Sequence, residues 1–248
     1  MHTPKQIISL FLLFAISITG PLTAGESSPD WVPKGFDLVY QENFTSPDSI
    51  DNFLFTSPGD WKRVKDGDRY ALEQNKSGSS YDPPVRSPQN IGMINNLQVG
   101  SFILDFHVNQ HGNVYPHQDA CVFFNIEDPS NFYYVHIGAK RDNVAYQIHN
   151  VDDGPRTAIT KNQDGDKGLD WSKQKWHHVR VIRNAKKGHI AIYINDMSEP
   201  AMLAKDTSHQ MGYIGFGSFD DRARFTNIRI WAPEKKEVPA DFYQPKKK

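Results

Sequence analysis

Short runs in which apolar and polar side chains alternate recur from Leu38 to Trp231, and no stretch between them sustains a helical period. A period of two places successive side chains on opposite faces of a strand. In residues 102–109, Phe102, Leu104, Phe106 and Val108 form an apolar set, while Ile103, Asp105, His107 and Asn109 fall on the other face. Further strands are expected over residues 120–126, 132–137 and 144–151. Others follow at 38–44, in a hairpin of 61–64 with 70–73 about Asp66-Gly67-Asp68, and at 176–183, 189–194, 202–206, 212–218 and 225–231. An α/β fold would need helices of about ten residues or more between strands, and the sequence offers none. No fixed-period repeat is visible, which disfavours a propeller. The expectation is an all-β fold: an antiparallel sandwich of two sheets in one large domain.

The beginning of the chain reads as an export signal over residues 1–24. Lys5 supplies a positive start, residues 7–18 an apolar run, and Leu22-Thr23-Ala24 a small-residue exit. The apolar run is too short for a stable membrane span. No cysteine follows to carry a lipid, so a secreted or periplasmic protein is expected. Residues 25–35 read as a leader with Trp31 as an anchor, 36–233 as the sandwich, and 234–248 as a polar tail ending in Lys246-Lys247-Lys248. Removing the signal takes the basic residues from 28 to 27 against 29 acidic ones, which leaves no concentrated basic charge for nucleic acid. The single cysteine, Cys121, excludes an internal disulfide and sits in an apolar strand, as a small buried hydrophobe does. The core must therefore hold the fold, and 15 Phe, 10 Tyr and 5 Trp supply it.

The central strands carry many polar groups on one side. With Tyr133, Val135 and Ile137 inward, Tyr134 and His136 face outward; with Tyr146 and Ile148 inward, Gln147 and His149 do too. Asp105, His107, Tyr134, His136, Gln147 and His149 are thus expected side by side, extended by Gln118, Asp119 and Arg156. Imidazoles, amides and carboxylates gathered on a rigid sheet suit a carbohydrate ligand. The prediction depends on register, because a slip of one residue turns every side chain to the opposite face.

The order of these signals resembles a known group. An early strand ends in Glu42-Asn43-Phe44, and a strand containing Trp61 precedes the Asp66-Gly67-Asp68 turn. There follow Trp176-His177-His178-Val179-Arg180-Val181, the Gly188 hairpin into Ile192-Tyr193-Ile194-Asn195-Asp196, residues 211–221, and residues 225–231 ending in Trp231. Over about residues 36–233 the chain resembles the concanavalin A-like lectin/glucanase superfamily, in its laminin G-like and 3-keto-disaccharide hydrolase-like branches. The resemblance implies a jelly roll of two curved antiparallel sheets whose concave sheet holds a glycan. It also implies two other functions: a hydrolase or lyase acting on a 3-keto sugar, or a laminin G-like adhesion module.

The paired-carboxylate strand of the glucanases, E-x-D-x-x-E, is absent, which argues against their retaining mechanism. Asp105 or Asp119 with His107 or His136 would be an alternative acid/base set. By the same resemblance a structural calcium near the joined terminal strands would draw on Glu42 or Asp220. Asp164-Gly165-Asp166 lacks the glycine and glutamate of an EF-hand loop and reads as a solvated turn. His177 and His178 point to opposite faces and cannot chelate one ion.

Overall fold

The structure is a computed structural model that describes residues 28–162 and 168–243. The expected signal, Asp164-Gly165-Asp166 and Lys246-Lys247-Lys248 lie outside the described residues. The strands are, in order, β1 (Asp37–Glu42), β2 (Phe53–Phe55), β3 (Trp61–Asp66), β4 (Arg69–Gln74), β5 (Asn90–Ile94), β6 (Phe102–Gln110), β7 (Asp119–Asp128) and β8 (Asn131–Gly138). They continue with β9 (Gln147–Asp152), β10 (Thr157–Ala158), β11 (His177–Asn184), β12 (His189–Ile194), β13 (Met202–Lys205), β14 (Tyr213–Ser218) and β15 (Ala223–Ala232). Only two short 3-10 turns interrupt them among the described residues.

All pairings are antiparallel and fall into two sheets. The first runs β13-β12-β11-β6-β15-β4-β3, with β1 also on β15; the second runs β10-β9-β8-β7-β14-β5-β2. Phe102, Leu104, Phe106 and Val108 of β6 meet Tyr133, Val135 and Ile137 of β8 in one core between the sheets, with Val179, Val181, Phe216 and Phe225. The expected strand registers hold at these positions. The jelly-roll sandwich is therefore built as the alternation dictates.

Residues 144–146, expected to open a strand, turn instead. The Asp142 carboxylate accepts the amides of Val144 and Ala145 at 2.8 Å, and Tyr146 takes φ +57°. An aspartate that bonds backbone two and three residues onward competes with a strand ladder.

Two features of the sheets bear on the site. Gly217 lies between β5 and β7, where a Cβ would stand 1.8 Å from the Asn90 carbonyl oxygen, so only glycine fits. On β15 the register shifts between Thr226 and Arg229, with Asn227 at φ +52°. Before this bulge β15 pairs with β4, and after it the same edge pairs with β1. A bulge turns side chains to new directions, and here Asn227 and Arg229 both emerge into solvent.

Residues 236–243, expected as part of a polar tail, lie along the second sheet. Tyr213 donates to the Val238 carbonyl at 2.9 Å, and the Phe242 ring meets Tyr213 at 5.7 Å. With Ala240 they close a second apolar cluster over Ile91, Met93, Cys121, Phe123, Phe132 and Tyr134. Trp31 is an anchor as expected, set edge-on against Trp231 at 5.1 Å.

Candidate ligand-binding groove

The expected single polar face does not form. Asp105 and His107 belong to β6, which pairs with β11 and β15 in the first sheet. Asp119 of β7, Tyr134 and His136 of β8, Gln147 and His149 of β9, and the neighbouring Gln118 and Arg156 lie on the second sheet. The chain crosses between sheets in the loop from Gln110 to Asp119, so strands adjacent in sequence are not adjacent in space. Each strand's facing was correct; their shared surface was not.

On the first sheet, Asp105 stands opposite Arg180 in the β6–β11 ladder. Arg180 donates from Nε to Oδ1 at 2.6 Å and from Nη2 to Oδ2 at 2.8 Å, a bidentate pair. His178 Nε2 lies 3.2 Å from the same Oδ2. Burial would raise the Asp105 carboxyl, but Arg180 and His178 hold it below the usual carboxylate range. Two residues along, His107 faces His178 and the rings stack at 5.1 Å, 13° from parallel. Burial first, then the neighbouring His178 and Arg69, pushes the His107 imidazole below its ordinary value, which favours the neutral ring.

Asp105, His107 and His178 form the floor of a groove of about 340 Å³. The end of β1, with Gln41, Glu42 and Asn43, and the β15 bulge beside it, with Asn227 and Arg229, complete the lining. Glu42 Oε1 accepts the Phe44 amide at 2.5 Å, and burial raises its carboxyl. His178, Asn227 and Arg229 were not expected here. The alternation of 176–183 already put His178 and Arg180 on one face; what it could not reveal was that β11 lies beside β6.

The remaining expected residues form a buried polar layer on the second sheet. His136 is 4% exposed and His149 1%. Both send a ring nitrogen to the Val144 carbonyl, His136 Nδ1 at 2.8 Å and His149 Nε2 at 2.9 Å. The His149 ring stacks on Tyr134 at 4.7 Å, and burial drives its pKa down to about 3. Gln147 donates to the Asp142 carbonyl at 2.6 Å. Gln118 is buried, and the Arg156 guanidinium covers the Phe219 ring at 4.4 Å.

The Asp119–His136 pair does form, at 3.2 Å. Burial opposes the charged imidazole, but Asp119 outweighs it and raises His136; in return His136 holds Asp119 low. Both are sealed from solvent, so of the four acid/base residues only Asp105 and His107 border an open groove. Burial and Asp119 push the Cys121 thiol well up, consistent with an inert side chain.

Glu42 closes β1 in the first sheet, whereas Asp220 lies in the turn from β14 to β15. Glu42 has one oxygen on Phe44 and only Asp105, held by Arg180, as an acidic neighbour in its groove, so the residues at the terminal strands do not fit a calcium ion. Asp220 instead joins Asp119 and Asp221. A wider opening of about 700 Å³ lies at one end of the sandwich, between Val114, Tyr115, Pro116, Lys140 and Trp171.

No protein-family model matches the chain, and no curated protein matches it. Solved structures do. A Bacillus subtilis protein of unknown function with a galectin-like fold aligns with a TM-score of 0.52 at 12% identity, covering 82% of this chain and 100% of that one. The carbohydrate binding module CBM66 of Bacillus subtilis aligns at 0.48 with 14% identity, over 71% of this chain and 93% of that one. Lectin I-B4 of Griffonia simplicifolia, in its metal-free form, aligns at 0.46 with 11% identity, over 76% and 95%. At these identities the likeness is one of fold, and the fold of this chain is the galectin-like, concanavalin A-like sandwich.

Proposed function

We propose that the protein binds carbohydrate in the groove of the first sheet. The observation that carries this reading is the convergence of Asp105, His107, His178, Asn227 and Arg229, from three neighbouring strands, on one open cavity of about 340 Å³. Cavities that hold small ligands run from about 300 to 1,000 Å³ and fix orientation through a few convergent polar groups. Carboxylate, amide, imidazole and guanidinium groups together offer both donors and acceptors, as sugar hydroxyls require. The paired strands hold the floor rigid, because Asp105 and His178 are already hydrogen-bonded to one another. A carbohydrate binding module and a lectin share the fold, but fold alone does not carry a ligand; the groove does. The export signal expected at residues 1–24 would place this protein where extracellular glycans are met.

The test is a glycan array probed with the purified protein, its Arg229→Ala and His178→Ala variants, and a His149→Gln control from the buried layer. Binding should fall at least about tenfold in the two groove variants, the loss of one or two ligand hydrogen bonds, and persist in the control. Equal binding by all forms, with folding intact by circular dichroism, would place the ligand elsewhere.

Turnover is the second reading, favoured by a neutral His107 beside an open cavity. A neutral imidazole next to a bound sugar is the group that a proton-abstracting elimination needs. Incubation with 3-keto disaccharides should then release products that His107→Gln does not.

A further inference from the structure

Away from the groove, Asp119, Asp220 and Asp221 bring carboxylate oxygens within 4.8 Å of one another. Asp119 opens β7, and the other two form the turn from β14 to β15. Backbone holds the three together. The Phe219 amide donates to Asp119 Oδ2 at 3.0 Å, and the Asp119 amide donates to Asp221 Oδ2 at 3.0 Å. The Tyr115 hydroxyl adds a bond to the same Asp221 oxygen at 2.7 Å.

A second observation is independent of this clustering. Asp119 is fully buried, and its Oδ2 is the atom that meets Phe219, the Cys121 thiol at 3.0 Å and His136 at 3.2 Å. Its Oδ1 is also buried and has no hydrogen-bond partner among the described residues. A buried carboxylate oxygen without a partner is among the least favourable groups a fold can hold. His136 offsets one negative charge, and His117 and Arg156 lie near Asp220. Asp220 is exposed and leaves an approach from solvent. The carboxyls also repel: burial and Asp119 raise Asp220, and burial with Asp119 pushes Asp221 up to about 7.

We propose that Asp119, Asp220 and Asp221 form a binding site for a hard divalent cation, and for calcium before magnesium. The contributing oxygens are all carboxylate, with no thiolate or imidazole in the set, which selects against softer metals. Calcium accepts several carboxylate oxygens in flexible geometry, whereas magnesium demands near-ideal octahedral coordination and gives up its waters reluctantly. The ion would give Asp119 Oδ1 its partner and clasp the start of β7 to the β14–β15 turn. Through Tyr115 it would also steady the loop bordering the wider opening. The rival occupant is a single proton shared by Asp119 and Asp221.

Full-length protein stripped with a chelator is titrated with calcium chloride and with magnesium chloride at about pH 7.5, by calorimetry and by thermal unfolding. Calcium should bind at one site with Kd below about 1 mM and raise Tm by several degrees at saturation, with magnesium at least tenfold weaker. Asp220→Asn, at an exposed position that leaves the core untouched, should weaken calcium at least tenfold, and Asp221→Asn further. Glu199→Gln, remote and exposed, should change nothing. No saturable heat and no Tm shift up to about 10 mM would overturn the proposal. So would calcium affinity unchanged in both aspartate variants, or magnesium binding as tight as calcium. A gain of Tm in Asp221→Asn with no effect of either ion on the wild type would assign the shared proton and overturn it as well.

Discussion

Asp105 and Arg180 face one another across β6 and β11, and the guanidinium held by that carboxylate lies 3.4 Å from the centre of the Trp31 ring. The pair thus ties the residues before β1 to the middle of the first sheet. Both partners are mostly buried, at 14% and 11% side-chain exposure. A double-mutant cycle of Asp105→Asn and Arg180→Met, followed by urea unfolding, should give a coupling of about 1–3 kcal/mol, within the range for hydrogen-bonded neighbours. A coupling near zero would remove the pair from the groove's supports.

Asn227 sits at φ +52° in the β15 bulge that sends Arg229 outward. Glycine tolerates that backbone and a β-branched residue does not. Asn227→Gly should stay within about 1 kcal/mol of the wild-type stability and weaken binding only by the contacts of the lost amide. Asn227→Val should lose about 1–3 kcal/mol of stability and reduce binding with it. Comparing Tm and affinity in the two variants separates bulge geometry from side-chain contact.

Gly217→Ala should be severely destabilising, because its Cβ would fall 1.8 Å from a backbone oxygen of β5. A loss of more than about 2 kcal/mol is expected, as for forced overpacking. Gly59→Ala, where nothing lies within 4 Å, serves as the neutral comparison in the same denaturation series.

His149 makes stability depend on pH. Its folded pKa is about 3 against an ordinary value of 6.5. Between those limits the unfolded chain takes up a proton that the folded one refuses. The neutral ring's contribution is therefore complete above pH 6.5 and is lost as the pH falls, by up to about 1.4 kcal/mol per pH unit. Between pH 7.5 and 5, His149→Gln should lose less stability than the wild type in parallel urea titrations. An identical slope would mean the buried ring does not control it.

How much of this was legible in the chain depends on the distance over which the cause acts. Alternation is local, so the inward sets of β6 and β8 follow from the sequence, as does the burial of Cys121, whereas the bulge in β15 breaks the period there. Pairing is not local. Nothing in residues 102–126 says that β6 and β7 join different sheets, and that crossing divided Asp105 and His107 from His136 and His149. Asp119 and His136 were expected near one another and are, because β7 and β8 form a simple hairpin. The groove itself was hidden because its walls come from β1 and β15, at the two ends of the described chain. The fate of residues 236–243 was obscured by composition: Lys236 and Glu237 read as tail, while Ala240, Phe242 and Tyr243 pack.

The pairing of β1 with β15 has a consequence for how the chain is made. Asp37 meets Ala232, and β15 also supplies the central partner of β6. During synthesis the first sheet lacks its middle strand until nearly the whole described chain has emerged. Contacts so distant in sequence slow folding, since the intervening loop must be ordered before they form. The nascent chain should stay open and accessible to cellular handlers throughout translation, and then close late and all at once.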